Sequence, residues 1–214
     1  MSVFSICSAL LMGSLLIGLF FWNLWLVSLV ICLLVGVLTI YLYDSIEIFF
    51  HYEAGFWLFI FSEILIFGTL IFCCLYFDHY YYENLSSPLE LPLLGCFVLL
   101  GSSITITGFH HLLGWKYSWL LLLLTIILGI LFICLQVVEF SEVSVNIFDN
   151  SFYASSFCTV GLHFSHVALG VIAFIVALIV GENSLGVYRC SVITWYWHFV
   201  DYVWLFVYMF VYVC

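Results

Sequence analysis

From Phe4 to Tyr43 the chain carries no charged side chain. A helix crosses the roughly 30 Å hydrocarbon core of a bilayer with about 20 apolar residues, so this run is twice the length of one crossing. It should fold back on itself, roughly as spans 4–21 and 24–43, turning near Trp22-Asn23-Leu24-Trp25 where two tryptophans suit a membrane interface. A chain with a water-facing surface carries about 25% charged residues. Here 7% are charged and 67% hydrophobic, so lipid must solvate most of the surface. The fold class expected is all-α: an integral, multi-pass membrane protein.

The same reading continues along the chain. Polar residues Asp44, Glu47, His51 and Glu53 mark a segment outside the membrane. Further spans are expected over about 55–77, 91–113, 118–138, 152–180 and 192–213, seven in all within one transmembrane domain of residues 1–214. Pro92 falls in the first turn of the fourth span, where its missing N–H is harmless. The sixth is long enough to tilt. An odd number of spans puts the termini on opposite sides. Lys116 and Arg189, the two cations of the chain, then share the side of the N-terminus, which the positive-inside rule makes the matrix or cytoplasm.

A formal charge of −10 with two cations argues against binding nucleic acid or anionic head groups through bulk charge. The cysteines inside apolar runs, such as Cys7, Cys32 and Cys96, read as small hydrophobes, and Cys73-Cys74 lacks metal-ligand spacing. The N-terminus has no basic segment and no small-residue cleavage site, so a removable signal peptide is not expected.

Polar groups at membrane depth need partners, because an ionised side chain there costs about 2.5 kcal/mol or more when left bare. Ser62-Glu63 interrupts the third span, His163 and His166 the sixth, and His198 and Asp201 the seventh. The spacings i and i+3 put His163 with His166, and His198 with Asp201, on common helix faces. Counted from the inner helix ends, Glu63, His198 and Asp201 lie roughly 10–15 Å deep at about 1.5 Å per residue. Glu63 is expected to pair with His163, His166 or His198. His110, His111, Gln136 and Glu139 mark polar helix ends. Three roles stay open for these groups. They relay protons or tune a neighbouring redox protein; they tie helices together, since lipid gives no hydrophobic drive for helix association; or imidazoles among them ligate haem or copper. The tryptophans Trp57, Trp115, Trp119, Trp195, Trp197 and Trp204 read as interface anchors or packing.

The motifs also resemble one family. Trp195-Tyr-Trp-His-Phe-Val-Asp201, then Val203-Trp-Leu-Phe and Tyr208, is similar to the closing signature of subunit III of cytochrome c oxidase. Phe59-Ile-Phe-Ser-Glu63 resembles that family's third helix, Pro88-Leu-Glu-Leu-Pro, Ser103-Ile-Thr105 and His110-His111 its fourth, and Leu135-Gln136 with Glu139-Phe140 the end of its fifth. Gly161-Leu-His-Phe-Ser-His-Val-Ala-Leu-Gly170 resembles a sixth-helix motif with Phe164 in place of a glycine.

What the resemblance implies is a seven-helix, non-catalytic subunit with no cofactor or metal of its own. Haem and copper sit in the partner catalytic subunit I. Helices 1–2 are separated from helices 3–7 by a cleft that holds structural phospholipids. The complex, in the inner mitochondrial membrane with this N-terminus on the matrix side, reduces oxygen with electrons from cytochrome c and pumps protons. Two departures stand out. Asp44 and Glu47 match an acidic pair after helix two, but Tyr43 and Ile46 replace the arginines that normally accompany it, which leaves lipid to be held by its tails in the cleft and by Asp44, Glu47, His51, Trp57, Arg189 or backbone N–H groups. Phe164 would hold helix six further from a neighbour. The equivalent subunit of a bacterial quinol oxidase, and a free-standing seven-helix channel or transporter, remain as alternatives.

Overall fold

The structure, a computed structural model, describes residues 3–45, 53–78 and 85–213. Its helices are α1 (Val3–Phe20), α2 (Leu24–Ser45), α3 (Glu53–Phe77), α4 (Leu91–His111), α5 (Ser118–Glu142), α6 (Ser151–Val180), the single turn α7 (Glu182–Leu185) and α8 (Val187–Val207), which continues as a π-helical stretch over Tyr208–Val213. Among the described residues the only regular structure is helical. Five helices are long and apolar enough to cross a membrane: α2 through Tyr41, α3, α4, α5 and α6. Glu47 and His51 lie outside the described residues. Asp44 falls in the last turn of α2 with its side chain likewise outside the description.

The chain divides into two compact units, Met1–His51 and Tyr52–Cys214. In the first, α1 and α2 form a hairpin. Its turn is built by amides of Phe21, Trp22 and Asn23 donating back to Ile17, Leu19 and Gly18 carbonyls, while the Asn23 side-chain oxygen accepts the Leu26 N–H and caps α2. Trp22 sits at φ 50°, the left-handed conformation that closes the turn, so the reversal falls where the paired tryptophans suggested.

In the second unit α6 and α8 are central. α6 packs on α3, α5 and α8, and α8 packs on α4 and α6. Large side chains fill the space between them: Trp197, Trp204, Phe132 and Phe174 are all essentially inaccessible. α4 and α8 run antiparallel in fixed register, with His110 bonded to Ser191, Trp197 to Ser102, and Tyr208 to the Pro88 carbonyl. Gly181 and Gly186, at φ 82° and 84°, end α6 and start α8 in conformations that side chains rarely adopt.

The helix edges differ from the hydropathy reading where polar residues are folded inward. α8 begins at Val187 and not 192, because Gly186 sets the break and Arg189 and Ser191 lie inside the helix. α5 runs on to Glu142 and not 138, because Gln136 and Glu139 are buried in the bundle.

Candidate functional site

The third and sixth helices bring Glu63 and His166 together: imidazole Nε2 lies 2.9 Å from a carboxyl oxygen, with the side chains 10% and 13% exposed. Helix geometry then fixes the chemistry. His166 Nδ1 faces the Leu162 carbonyl at 2.8 Å, and a carbonyl only accepts, so Nδ1 carries a hydrogen. One further proton is shared between Nε2 and Glu63, and the pair is neutral overall whichever atom holds it. Phe67 meets this imidazole edge-on, and Tyr196 stacks on it while donating its hydroxyl to the His166 carbonyl. Three helices, α3, α6 and α8, are therefore tied at one point.

His163 does not join that pair. It is fully buried, donates from Nε2 to the Val200 carbonyl at 3.1 Å, and is wedged between Phe132 and Trp204. His198 also stands apart, on the α4 side of α8: Nδ1 is 2.8 Å from the Ser103 hydroxyl and Nε2 is 3.3 Å from that of Thr107. Asp201, one turn on, is 2% exposed, and neither oxygen makes a well-formed hydrogen bond among the described residues, although the Ser103 hydroxyl lies close enough to act on it. Ser62 joins none of these groups. It is exposed, and its hydroxyl bonds the Phe59 carbonyl one turn back on α3. The buried polar groups thus form two clusters, Glu63 with His166 and Ser103 with His198 and Asp201, and His163 belongs to neither.

The helix-end residues divide in the same way. His110 Nε2 bonds Ser191 at 3.0 Å, while His111 is exposed. Glu139 is 3% exposed and takes hydrogen bonds from Gln136 and, at 2.7 Å, from Ser86, so it anchors the segment that leads into α4. Ser86→Ala removes one donor from this buried carboxyl and is expected to cost about 1–3 kcal/mol, read as a lowered melting temperature of the purified protein; an unchanged melting point would show the Ser86 contact to be idle. Of the candidate lipid contacts, Trp57 stacks on Trp195 at 5.8 Å and is 55% exposed, and Arg189 is half-buried in the first turn of α8.

Sequence reasoning passed over Ser103 and Thr107 as site residues, although the signal was present. Ser103, Thr107 and His110 recur at i, i+4 and i+7, a polar stripe on an otherwise apolar helix. Among the described residues no group of three histidine, cysteine, aspartate or glutamate side chains is placed to hold a metal ion, and the described cysteines are all free.

Comparison with known proteins bears on the whole chain. A family model described as cytochrome c oxidase subunit III matches residues 3–214. Cytochrome c oxidase subunit 3 of Loxodonta africana is 42% identical over 133 residues, covering 59% of this chain and 51% of that protein. That of Ovis aries is 35% identical over 182 residues, covering 74% and 67%, and that of Myxine glutinosa 38% over 132 residues, covering 58% and 51%. Most of these matches span about half the length of the curated relative.

Proposed function

The chain belongs to the cytochrome c oxidase subunit III family, and from that premise we propose that it is a non-redox core subunit of mitochondrial cytochrome c oxidase. It packs beside the haem- and copper-bearing catalytic subunit I and supports oxygen reduction coupled to proton pumping. The observation that carries this reading is the family match over residues 3–214. The chemistry of the buried groups agrees with it. Both ring nitrogens of His166 and His198 are engaged by neighbouring protein groups, while His163, bonded through Nε2 alone, is wedged between Phe132 and Trp204.

All seven long helices cross the inner mitochondrial membrane in this reading, α1 and α8 included, with the N-terminus, Lys116 and Arg189 on the matrix side. Residues 1–214 act as one transmembrane subunit. Phospholipids cover part of its surface. A groove of about 450 Å³ between α3 and the second half of α8, lined by Ile64, Phe67, Gly68, Phe199, Tyr202 and Phe206, is apolar along its length and suits an acyl chain. Trp57 and Arg189 are the described candidates for head-group contact.

Purification from membranes in mild detergent tests the proposal. The chain is expected to co-purify with a haem-bearing partner in a complex that oxidises reduced cytochrome c, and to show no haem absorption once separated. Isolation of the chain by itself with haem bands, or as an autonomous transporter, would refute it, and a complex that oxidises quinol alone would move it to a quinol oxidase.

A further inference from the structure

The polar groups on the α4 face of α8 do more than tie two helices. Asp201 is a nearly inaccessible acid whose oxygens make no well-formed hydrogen bond among the described residues, and a bare carboxylate in such a place is costly. The group beside it, Ser103, is also bonded to His198, and His198 in turn to Thr107. One turn nearer the end of α4, His110 is bonded to Ser191 in the first turns of α8. The antiparallel register lays these residues in a line. It runs from the helix ends at His110 to Asp201 over about ten residues of α8, or about 15 Å at roughly 1.5 Å per residue.

The bonds also fix where the hydrogens lie. The Thr107 hydroxyl donates to the Ser103 carbonyl at 2.8 Å, so toward His198 its oxygen accepts, and His198 carries its hydrogen on Nε2. Nδ1 therefore accepts from the Ser103 hydroxyl, which leaves none of that hydroxyl's hydrogen for Asp201. Nothing donates to Asp201 in this arrangement, as suits an acid that carries its own proton.

We propose that Asp201 is a proton-holding site, filled and emptied from the His110 end of the bundle through Thr107, His198 and Ser103. On release, the Asp201 carboxyl O–H breaks and its proton passes to Ser103 Oγ, while the Ser103 hydroxyl proton moves to His198 Nδ1. The proton on His198 Nε2 then leaves past Thr107 toward His110. One proton departs and none is created. Asp201 remains as a carboxylate that now receives the Ser103 hydroxyl, and His198 remains neutral in its other tautomer. Filling is the reverse. His163, bonded to the Val200 carbonyl, takes no part.

The site belongs to this chain's own residues and holds whichever redox partner the chain has. Infrared spectroscopy of the intact purified protein, in whatever assembly it is isolated, tests it. Asp201→Asn is expected to remove one carboxylic-acid C=O band, and in wild type that band shifts when H₂O is replaced by D₂O. Ser103→Ala and His198→Phe are expected to slow the shift by about a hundredfold, the low end of what a positioned proton-transfer group contributes. Should Asp201→Asn fail to assemble, carbon-13 aspartate labelling of wild type and Ser103→Ala assigns the band without it. An unaltered carboxylic-acid region in Asp201→Asn, or exchange at the wild-type rate in Ser103→Ala, would overturn the proposal.

Discussion

Replacing His166 with leucine is expected to lower the stability of the bundle by about 2–3 kcal/mol. This lies between the average of about 0.6 kcal/mol for a hydrogen bond between membrane helices and the roughly 3–5 kcal/mol for breaking a buried ion pair. The intermediate size follows from the geometry. Glu63 is left nearly buried with no other hydrogen-bond partner among the described residues, but at 13% exposure its side chain is not wholly cut off from its surroundings. Tyr196 and Phe67 also lose the imidazole they pack against. Glu63→Gln should cost about 1 kcal/mol or less, because its amide N–H still donates to Nε2. The double substitution Glu63→Leu with His166→Leu should recover most of the loss, since both polar groups go together. Unfolding of the purified protein by a denaturing detergent reads all three. A double variant no more stable than His166→Leu alone would show that the two side chains do not act as a pair.

How much of this was legible from sequence depends on the kind of information each feature carries. Apolar run length located the helices, because crossing a bilayer fixes about 20 residues per span. It failed at α8, where Arg189 and Ser191 fell outside the span expected from residue 192 and are helix. Hydropathy cannot distinguish a polar residue outside the membrane from one turned onto a neighbouring helix. Spacing put His198 and Asp201 on one face, and a carboxyl inside an apolar span singled out Glu63. Neither could say that Glu63 meets His166 alone, while His163 and His198 turn toward Val200 and toward α4. Those choices are set by how α8 is rotated against α4 and α6, a property of packing that a single chain's pattern does not encode. Phe164, read as a spacer, lies half-buried with its ring 6.5 Å from that of Phe140 on α5.

What sets that rotation is Trp197, and Gly170→Ala is expected to disturb it at a cost of about 1–3 kcal/mol, the range for forcing one extra methyl into a filled core. A Cβ at residue 170 would stand 2.7 Å from Cε3 and Cζ3 of the Trp197 ring, closer than such contacts occur. The ring cannot retreat. Its Nε1 donates to Ser102 at 2.9 Å, Phe174 meets it at 5.0 Å, and on the far side the Gly129 site has room for it only because no Cβ is there, one being 3.0 Å from the indole and 2.6 Å from Val171. The indole thus occupies a slot cut by two glycines on α5 and α6, and it fixes α8 relative to α4 within one residue of His198. Gly161→Ala supplies the control on the same helix. A Cβ there meets nothing within 4 Å, so the substitution should be neutral or stabilising by up to about 1 kcal/mol through helix propensity alone. Pairing Gly170→Ala with Trp197→Phe should return more than half of the Gly170→Ala loss, because the smaller ring vacates the space the methyl needs. Thermal melting of the wild type, the three single variants, Trp197→Phe included, and the double decides it. Equal costs at 161 and 170, or no coupling between 170 and 197, would mean that α8 is oriented by something other than this indole.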